Sequence, residues 1–375
     1  MTEHHVTTQS LPNDLRACLT KAARQGASDI HLIANQCITI RLHGELVSIG
    51  DSLLSPQALE SFLSEHLDPD DVNRFETNRN LDLAMELDTQ ETADANPDAN
   101  PGKQRFRVNL FYSGDVPGAC FRVIPSVVPN FSWANFPTTL AKKLCSFRNG
   151  LVIFSGVTGS GKTTSLAMVI QEILRHGSQR VITVEDPIEY RLPSSGQSLI
   201  SQREVGRDVN SFADGLKYAM RQDPNLILVG EIRDEATARM ALSAAETGHL
   251  VLTTLHTRDA KGAVTRLIDL FPNQNHAESC SMLSIGLRAV ICQHLLPSVF
   301  EGEKRELAVE VMYNTHPIAA AIRTGRFDSL DNAILAGKKD GMVTLDESVK
   351  RLLQDDRISR SVANRTISEP SLLNG

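Results

Sequence analysis

The chain has 375 residues, 41% hydrophobic and 22% charged, with a formal net charge of −7. That length exceeds one ordinary core and predicts two domains, and the composition excludes a wholly disordered chain. The charge argues against a protein devoted to coating nucleic acid, which needs a clustered excess of Lys and Arg; 18 of the 45 acidic residues but only 10 of the 38 basic ones precede Val123, so the acid is concentrated early.

No apolar run approaches the ~18 residues that span a bilayer. The opening "MTEHHVTTQS" lacks the basic-then-apolar layout of a signal peptide, so the sequence predicts a cytoplasmic protein. His4 and His5 read as part of a polar tail. The six cysteines have neither CxxC nor regular spacing, which predicts reduced thiols rather than a zinc site or a disulfide framework.

The stretch "LPNDLRACLTKAARQG" predicts a helix ending near Gly26, followed by strands "DIHLI" and "CITIRLHG" around the turn "ANQ". "SPQALESFLSEHLD" predicts a second helix, with Ser55 as N-cap and Pro56 at its first position. "DTQETADANPDANPGKQ" has no periodicity and reads as a loop or insertion at about residues 89 to 103. "RFRVNLFY" and "GACFRVIP" predict antiparallel strands around "SGDVPG", and the prolines of "PSVVPNFSWANFP" predict an extended connector. These readings give a first domain over 1–123, a linker over 124–139 and a second domain over 140–375.

The second domain changes rhythm. "GLVIFSG", "RVITVED", "NLILVGE" and "HLVLTTLH" are apolar on consecutive residues, as in parallel strands covered on both faces, and they alternate with helical stretches. Residues 276–368, including "CSMLSIGLRAVICQHLL", read as mainly helical.

"GVTGSGKT" matches G-x-x-x-x-G-K-[ST] after a strand and at the opening of a helix. Such a loop turns backbone N–H groups inward around a phosphate, and the helix adds its positive end. The nucleotide-binding candidates are Gly156, Val157, Thr158, Gly159, Ser160, Gly161, Lys162, Thr163 and Thr164, with Lys162 meeting the β and γ oxygens and Thr163 holding Mg²⁺. Hydrolysis further needs a carboxylate beyond a second apolar strand, to hold Mg²⁺ or orient water. Glu231 in "LILVGEIRD", with Asp234 close by, and Glu185, Asp186 and Glu189 in "VITVEDPIEY" lie where open α/β sheets place their ligands. His249 and His256 flank "LVLTTL" and suit a sensor of the γ-phosphate.

Together "GVTGSGKTT", "TVEDPIEY", "LILVGEIRD" and "TGHLVLTTLHT", in this order, resemble the Walker A, Asp-box, Walker B and His-box motifs of one family. It comprises the secretion ATPases of type II secretion and type IV pilus systems, and the match is to its pilus-retraction branch. "QGASDIHL", "RFRVN", "FRVIP" and "FPNQNHAESCSMLSIGLRAVICQHLL" extend the resemblance over nearly the whole chain. It implies a PAS-like α+β N-terminal domain followed by a RecA-like P-loop ATPase domain with a helical C-terminal tail, assembled as a homohexamer with nucleotide held between domains. It further implies ATP and Mg²⁺ as ligands, an inner-membrane pilus platform protein as partner, peripheral membrane association through that partner, and no direct nucleic acid. By the same resemblance Glu231, Glu189 and Glu185 are catalytic carboxylates, His256 and His249 belong to the His box, and Arg105, Arg107 and Arg122 face the phosphates.

Two departures keep alternatives open. Ala321 to Arg323 match the start of a helix linked to retraction, but "TGRFDS" brings in Gly325 and a break; the 89–103 insertion is the second. An accessory retraction ATPase or the ATPase of a related secretion or conjugation system is the alternative. A RecA-like nucleic-acid translocase would need a basic channel that the acidic first region does not supply.

Overall fold

The computed structural model describes residues 14–42, 45–89, 102–125, 127–300 and 304–368. The His4 and His5 tail and most of the 89–103 insertion lie outside the described residues. The chain divides into two compact units, Met1–Val127 with Glu189–Arg191, and Val128–Ile188 with Leu192–Gly375.

The first unit is α+β. Helix α1 (Leu15–Arg24) is opened by Asp14, whose carboxylate accepts from the N–H groups of Arg16 and Ala17. Strands β1 (Asp29–Ile33), β2 (Cys37–Leu42) and β3 (Glu45–Leu53) follow, then α2 (Pro56–His66) with Ser55 as its cap. Sequence periodicity missed α3 (Pro69–Asn78) and β4 (Asn80–Asp88). The acids that open α3 are a cap, Asp68, and a first turn, Asp70 and Asp71, which the helix dipole favours. Strands β5 (Lys103–Ser113) and β6 (Val116–Ile124) are longer than predicted, because their turn is only Gly114 and Asp115. Both have positive φ, 59° and 63°, the mirror-image turn that matches strand twist.

The six strands form one antiparallel sheet, ordered β3-β2-β1-β6-β5-β4. Alternation along each strand gives it two unlike faces. One is apolar, with Ile30, Ile40, Phe121 and Val108 packed against Leu19, Leu59, Phe62 and Phe75 of the helices. The other is largely polar.

In the second unit α4 (Thr138–Ser146) precedes a βα succession: β7 (Gly150–Ser155), α5 (Lys162–Arg175), β8 (Arg180–Glu185), β9 (Leu199–Glu204), α6 (Phe212–Ala219), β10 (Leu226–Val229), α7 (Glu235–Glu246), β11 (Leu250–Leu255) and α8 (Ala260–Ile268). After it come α9 (His276–Gly286), β12 (Leu287–Leu296), β13 (Glu306–Tyr313), α10 (His316–Arg323), α11 (Leu330–Ala336), α12 (Leu345–Gln354) and α13 (Arg360–Thr366). The sheet order is β13-β12-β7-β11-β10-β8-β9, parallel throughout except for β13. Strands β7, β10 and β11 have no exposed residue, which is why they read as unbroken apolar runs.

The helical reading of "CSMLSIGLRAVICQHLL" is corrected: helix α9 stops at Gly286, and from Leu287 the chain is a strand between β7 and β13. A run buried on both faces carries no period that separates strand from helix. Helices do dominate after β13, and no helix among the described residues is long and apolar enough to cross a membrane.

Candidate functional site

Strand β7 sits where the strand order turns back: its neighbours, β11 and β12, are both later in the chain, and β8 lies two strands beyond β11. The crevice of a parallel sheet opens at such a point, at the carboxyl ends of the strands. There the chain passes from Ser155 to Lys162 through the glycine-rich loop. Gly156 has φ +141°, and a Cβ on it would come within 2.5 Å of both the Gln293 carbonyl oxygen and Ser160 Oγ, so a side chain is excluded. Gly161 opens α5 in the left-handed region, φ +87°.

Lys162 is 8% exposed, and its Nζ donates to the carbonyls of Gly156 at 2.7 Å and Val157 at 3.1 Å. The ammonium is thus held over the loop's own mouth. Val157, Thr158 and Gly159 are exposed, while Thr163 and Thr164 are half-buried on the first turn of α5. Ser160 Oγ is buried with no hydrogen-bond partner among the described residues. A buried hydroxyl without a partner is costly, and an anion's oxygen is the partner it lacks. Positive helix end, buried lysine, orphaned hydroxyl and glycine cradle fit a phosphate group.

Glu231 follows β10 by two residues, and the intervening Gly230 is pinned by its N–H to Val184 O and by Thr254 Oγ1 to its own carbonyl. Its carboxylate pairs with Arg233 through Oε1, and Oε2 lies 3.7 Å from His256 Nε2. Arg233 also reaches toward Asp186, at 3.9 Å. His256 leaves β11 just after Leu255, which is in register with Ser155, so it emerges beside Gly156. Burial pushes the His256 pKa down, the Lys162 charge adds to that, and Glu231 opposes it. The imidazole is accordingly neutral at pH 7, able to accept as well as donate a hydrogen bond. Phosphate loop, carboxylate and imidazole thus converge at one strand edge.

Several predicted residues are placed elsewhere. His249 precedes β11 at the amino edge of the sheet, six residues of strand, or roughly 20 Å, away from His256. Its Nδ1 lies 3.2 Å from the Ala244 carbonyl and 3.3 Å from Thr247 Oγ1, so it ties down the end of α7, at the edge of the sheet opposite Gly156 and His256. Asp234 caps α7, accepting from Thr237 N at 2.8 Å. Glu185 is buried, and its Oε1 takes hydrogen bonds from Thr183 Oγ1 on its own strand at 2.6 Å and from Gln202 Nε2 at 3.2 Å, the second of which joins β8 to β9. Glu189 groups with the first unit, where its Oε1 lies 3.7 Å from Arg107 Nη1.

The three predicted arginines stand on the polar face of the first unit's sheet. Register places Arg41, Asp29, Arg122 and Arg107 opposite one another on β2, β1, β6 and β5, one transverse row about 14 Å long at ordinary strand spacing. Arg105 is two residues along β5, on the same face and 8% exposed. Arg122 Nε donates to Asp29 Oδ1 at 2.9 Å, and that bond, more than any other influence, pushes the Arg122 pKa up. Asp29 and Arg41 were missed, because only pairing register puts them in the row.

Sequence reasoning also missed β12. Gln293 Nε2 donates to Ser165 Oγ on α5 at 2.8 Å, Cys292 Sγ lies 3.7 Å from Thr257 O, and His294 Nε2 lies 2.9 Å from Arg258 O. The strand therefore underlies both the phosphate loop and the segment after His256. Burial pushes the Cys292 thiol up to about 12, so it stays protonated. The available signal was a glutamine and a histidine inside "AVICQHLL". Among the described residues no group of three or more His, Cys, Asp and Glu could hold a metal ion by itself.

The family model described as type II/IV secretion system protein matches residues 131–369. The type IV pilus retraction ATPase PilT of Pseudomonas aeruginosa is 37% identical over 357 residues, covering 95% of this chain and 99% of that protein. The type IV pilus ATPase PilU of the same organism is 33% identical, covering 89% of this chain and 84% of that one. Among solved structures, that of the pilus retraction motor PilT with bound ADP superposes with a TM-score of 0.82 at 32% identity, covering 96% of this chain and 99% of that one. The match runs through both units, and the phosphate loop, Glu231 and His256 all fall within the matched residues. The chain belongs to the type II/IV secretion system protein family, as a PilT-like secretion ATPase.

Proposed function

We propose that this chain is the ATP-hydrolysing motor of type IV pilus retraction, the activity behind twitching motility. It works in the cytoplasm as a homohexamer, against an inner-membrane pilus platform protein, with each protomer's two units closing around ATP. The observation that carries the reading is the convergence of the phosphate loop, Glu231 and His256 at one strand edge, in a chain alike over 95% of its length to a retraction ATPase.

In this reading Gly156 to Thr164 cradle the β- and γ-phosphates, and Lys162 exchanges its loop carbonyls for phosphate oxygens. Thr163 and Glu231 would hold Mg²⁺, which when bound neutralises charge building on the transferring phosphoryl group. Glu231 orients the attacking water and takes its proton, Arg233 pairs with that carboxylate and holds it in place, and neutral His256 reads the γ-phosphate. Arg107 and Arg122 supply guanidinium charge to the phosphates, with Glu189 as a second carboxylate beside Arg107.

The alternative is an accessory retraction ATPase or the ATPase of a related secretion system. One observation favours it: helix α10 ends at Arg323 and Gly325 has φ +67°, so the segment linked to retraction breaks off there. The test of the main reading is ATP turnover by the purified chain with and without Lys162→Ala. Loss of turnover in the variant is expected; equal turnover in both rejects the site.

A further inference from the structure

Gln293 has no exposed surface, yet it carries a primary amide in a strand of otherwise mostly apolar buried residues. Its Nε2 donates to Ser165 Oγ at 2.8 Å, and Ser165 lies one turn along α5, three residues after Lys162. Its main-chain oxygen is the atom that a Cβ on Gly156 would meet at 2.5 Å. One residue thus touches both ends of the phosphate loop, the start through its backbone and the helix it opens into through its side chain. Pairing of Cys292 with Ser155 and with Glu310 on either side fixes the strand that carries it.

We propose that Gln293 is a positioning residue for the nucleotide phosphates, acting through Ser165 to hold the first turn of α5, and so Lys162 and Thr163, at a set distance from Gly156. The proposal rests on the nucleotide-site reading above. A residue that only filled space here would be apolar, because the amide leaves its Oε1 buried without a partner among the described residues. The amide retained in its place is the group that reaches Ser165. The same strand's His294 meets the Arg258 carbonyl, so β12 registers the loop after His256 against the phosphate loop as well.

The experiment is an ADP titration of the full chain, at a temperature where melting without nucleotide shows each variant folded. Gln293→Met conserves volume and removes the amide; its ADP dissociation constant is expected to rise about tenfold, the weight of one buried hydrogen bond. Ser165→Ala is expected to do the same, and the double variant to lose no more than either single one, because both remove one shared bond. A folded Gln293→Met protein binding ADP within twofold of the parent overturns the proposal, as does a double variant whose loss is the product of the singles. If Gln293→Met does not fold, Ser165→Ala decides alone, and unchanged affinity there overturns it. Failure of the parent chain to bind ADP rejects the nucleotide site itself, and that is seen before any variant is made.

Discussion

The two sheets of this molecule present their chemistry in different ways. In the parallel sheet the candidate groups leave the carboxyl ends of strands: Gly156 after β7, Glu231 after β10 and His256 after β11. In the antiparallel sheet they stand on a face, where Arg41, Asp29, Arg122 and Arg107 form a row only because four strands pair in one register. An end is contiguous with the apolar run that builds it, so it appears in the sequence as a motif. A face is assembled from every second residue of separate strands, and a slip of one residue in any one of them would turn that strand's member of the row to the other side.

The sharpest break of the strand-end reading is Glu231→Gln. Losing the proposed base should lower ATP turnover on the order of 10²- to 10³-fold while ADP affinity stays within a few-fold of the parent. Turnover near the parent rate would move the base to another carboxylate. The face is tested next, by a double-mutant cycle. Arg122→Ala should lower turnover by about 100-fold, and Asp29→Ala by about tenfold, the weight of one charge-assisted hydrogen bond. If Asp29 works by aiming Arg122, adding Asp29→Ala to Arg122→Ala costs nothing more; losses that multiply would make Asp29 independent of it.

A smaller effect separates the two edges of the parallel sheet. His249 and His256 bracket the same strand, but His249 lies at the amino edge among backbone acceptors of α7. His249→Ala should keep turnover within about twofold and cost roughly 1 kcal/mol of stability, or about 2–4 °C in the melting midpoint. A large loss of turnover without loss of stability would return His249 to the site.

The contrast between ends and faces also explains what the sequence disclosed. The strand-end positions of Gly156 to Thr163 and of Glu231 are legible because an unbroken apolar run leads directly into each of them. Glu185 occupies an equivalent place at the end of β8, but its carboxylate turns back toward Thr183 on its own strand and toward Gln202, a partner that appears only once β9 is laid beside β8. Strand β12 was read as helix because burial on both faces erases the period, and with it went Gln293. Asp29 was visible as a letter in "ASDIHL", but its pairing with Arg122 spans most of the first unit. The two-unit division was legible as a change of rhythm, and the break near Gly325 as a glycine after a short apolar helix.

The smallest expected effect concerns a carboxylate that serves the strand ends from the antiparallel edge. Glu310 on β13 pairs with Cys292, and its Oε1 accepts from Ala260 N at 2.6 Å, on the first turn of the helix that follows His256. Burial pushes its pKa above the ordinary 4.5, with Asp259 and Asp331 adding to the rise while the Ala260 and Leu345 backbone hydrogen bonds oppose it. The folded state therefore binds this proton more tightly than the unfolded chain does. Its contribution to stability is complete below about pH 4.5 and is lost as the pH climbs through the raised value, so at neutral pH the ionised group is a burden. Glu310→Gln keeps an acceptor for Ala260 and cannot ionise. The variant should melt above the parent at pH 7.5, and the gap should close as the pH falls toward 4.5. A constant gap across that range would mean that Glu310 titrates alike in both states, and that the anchor of α8 is set by geometry and not by charge.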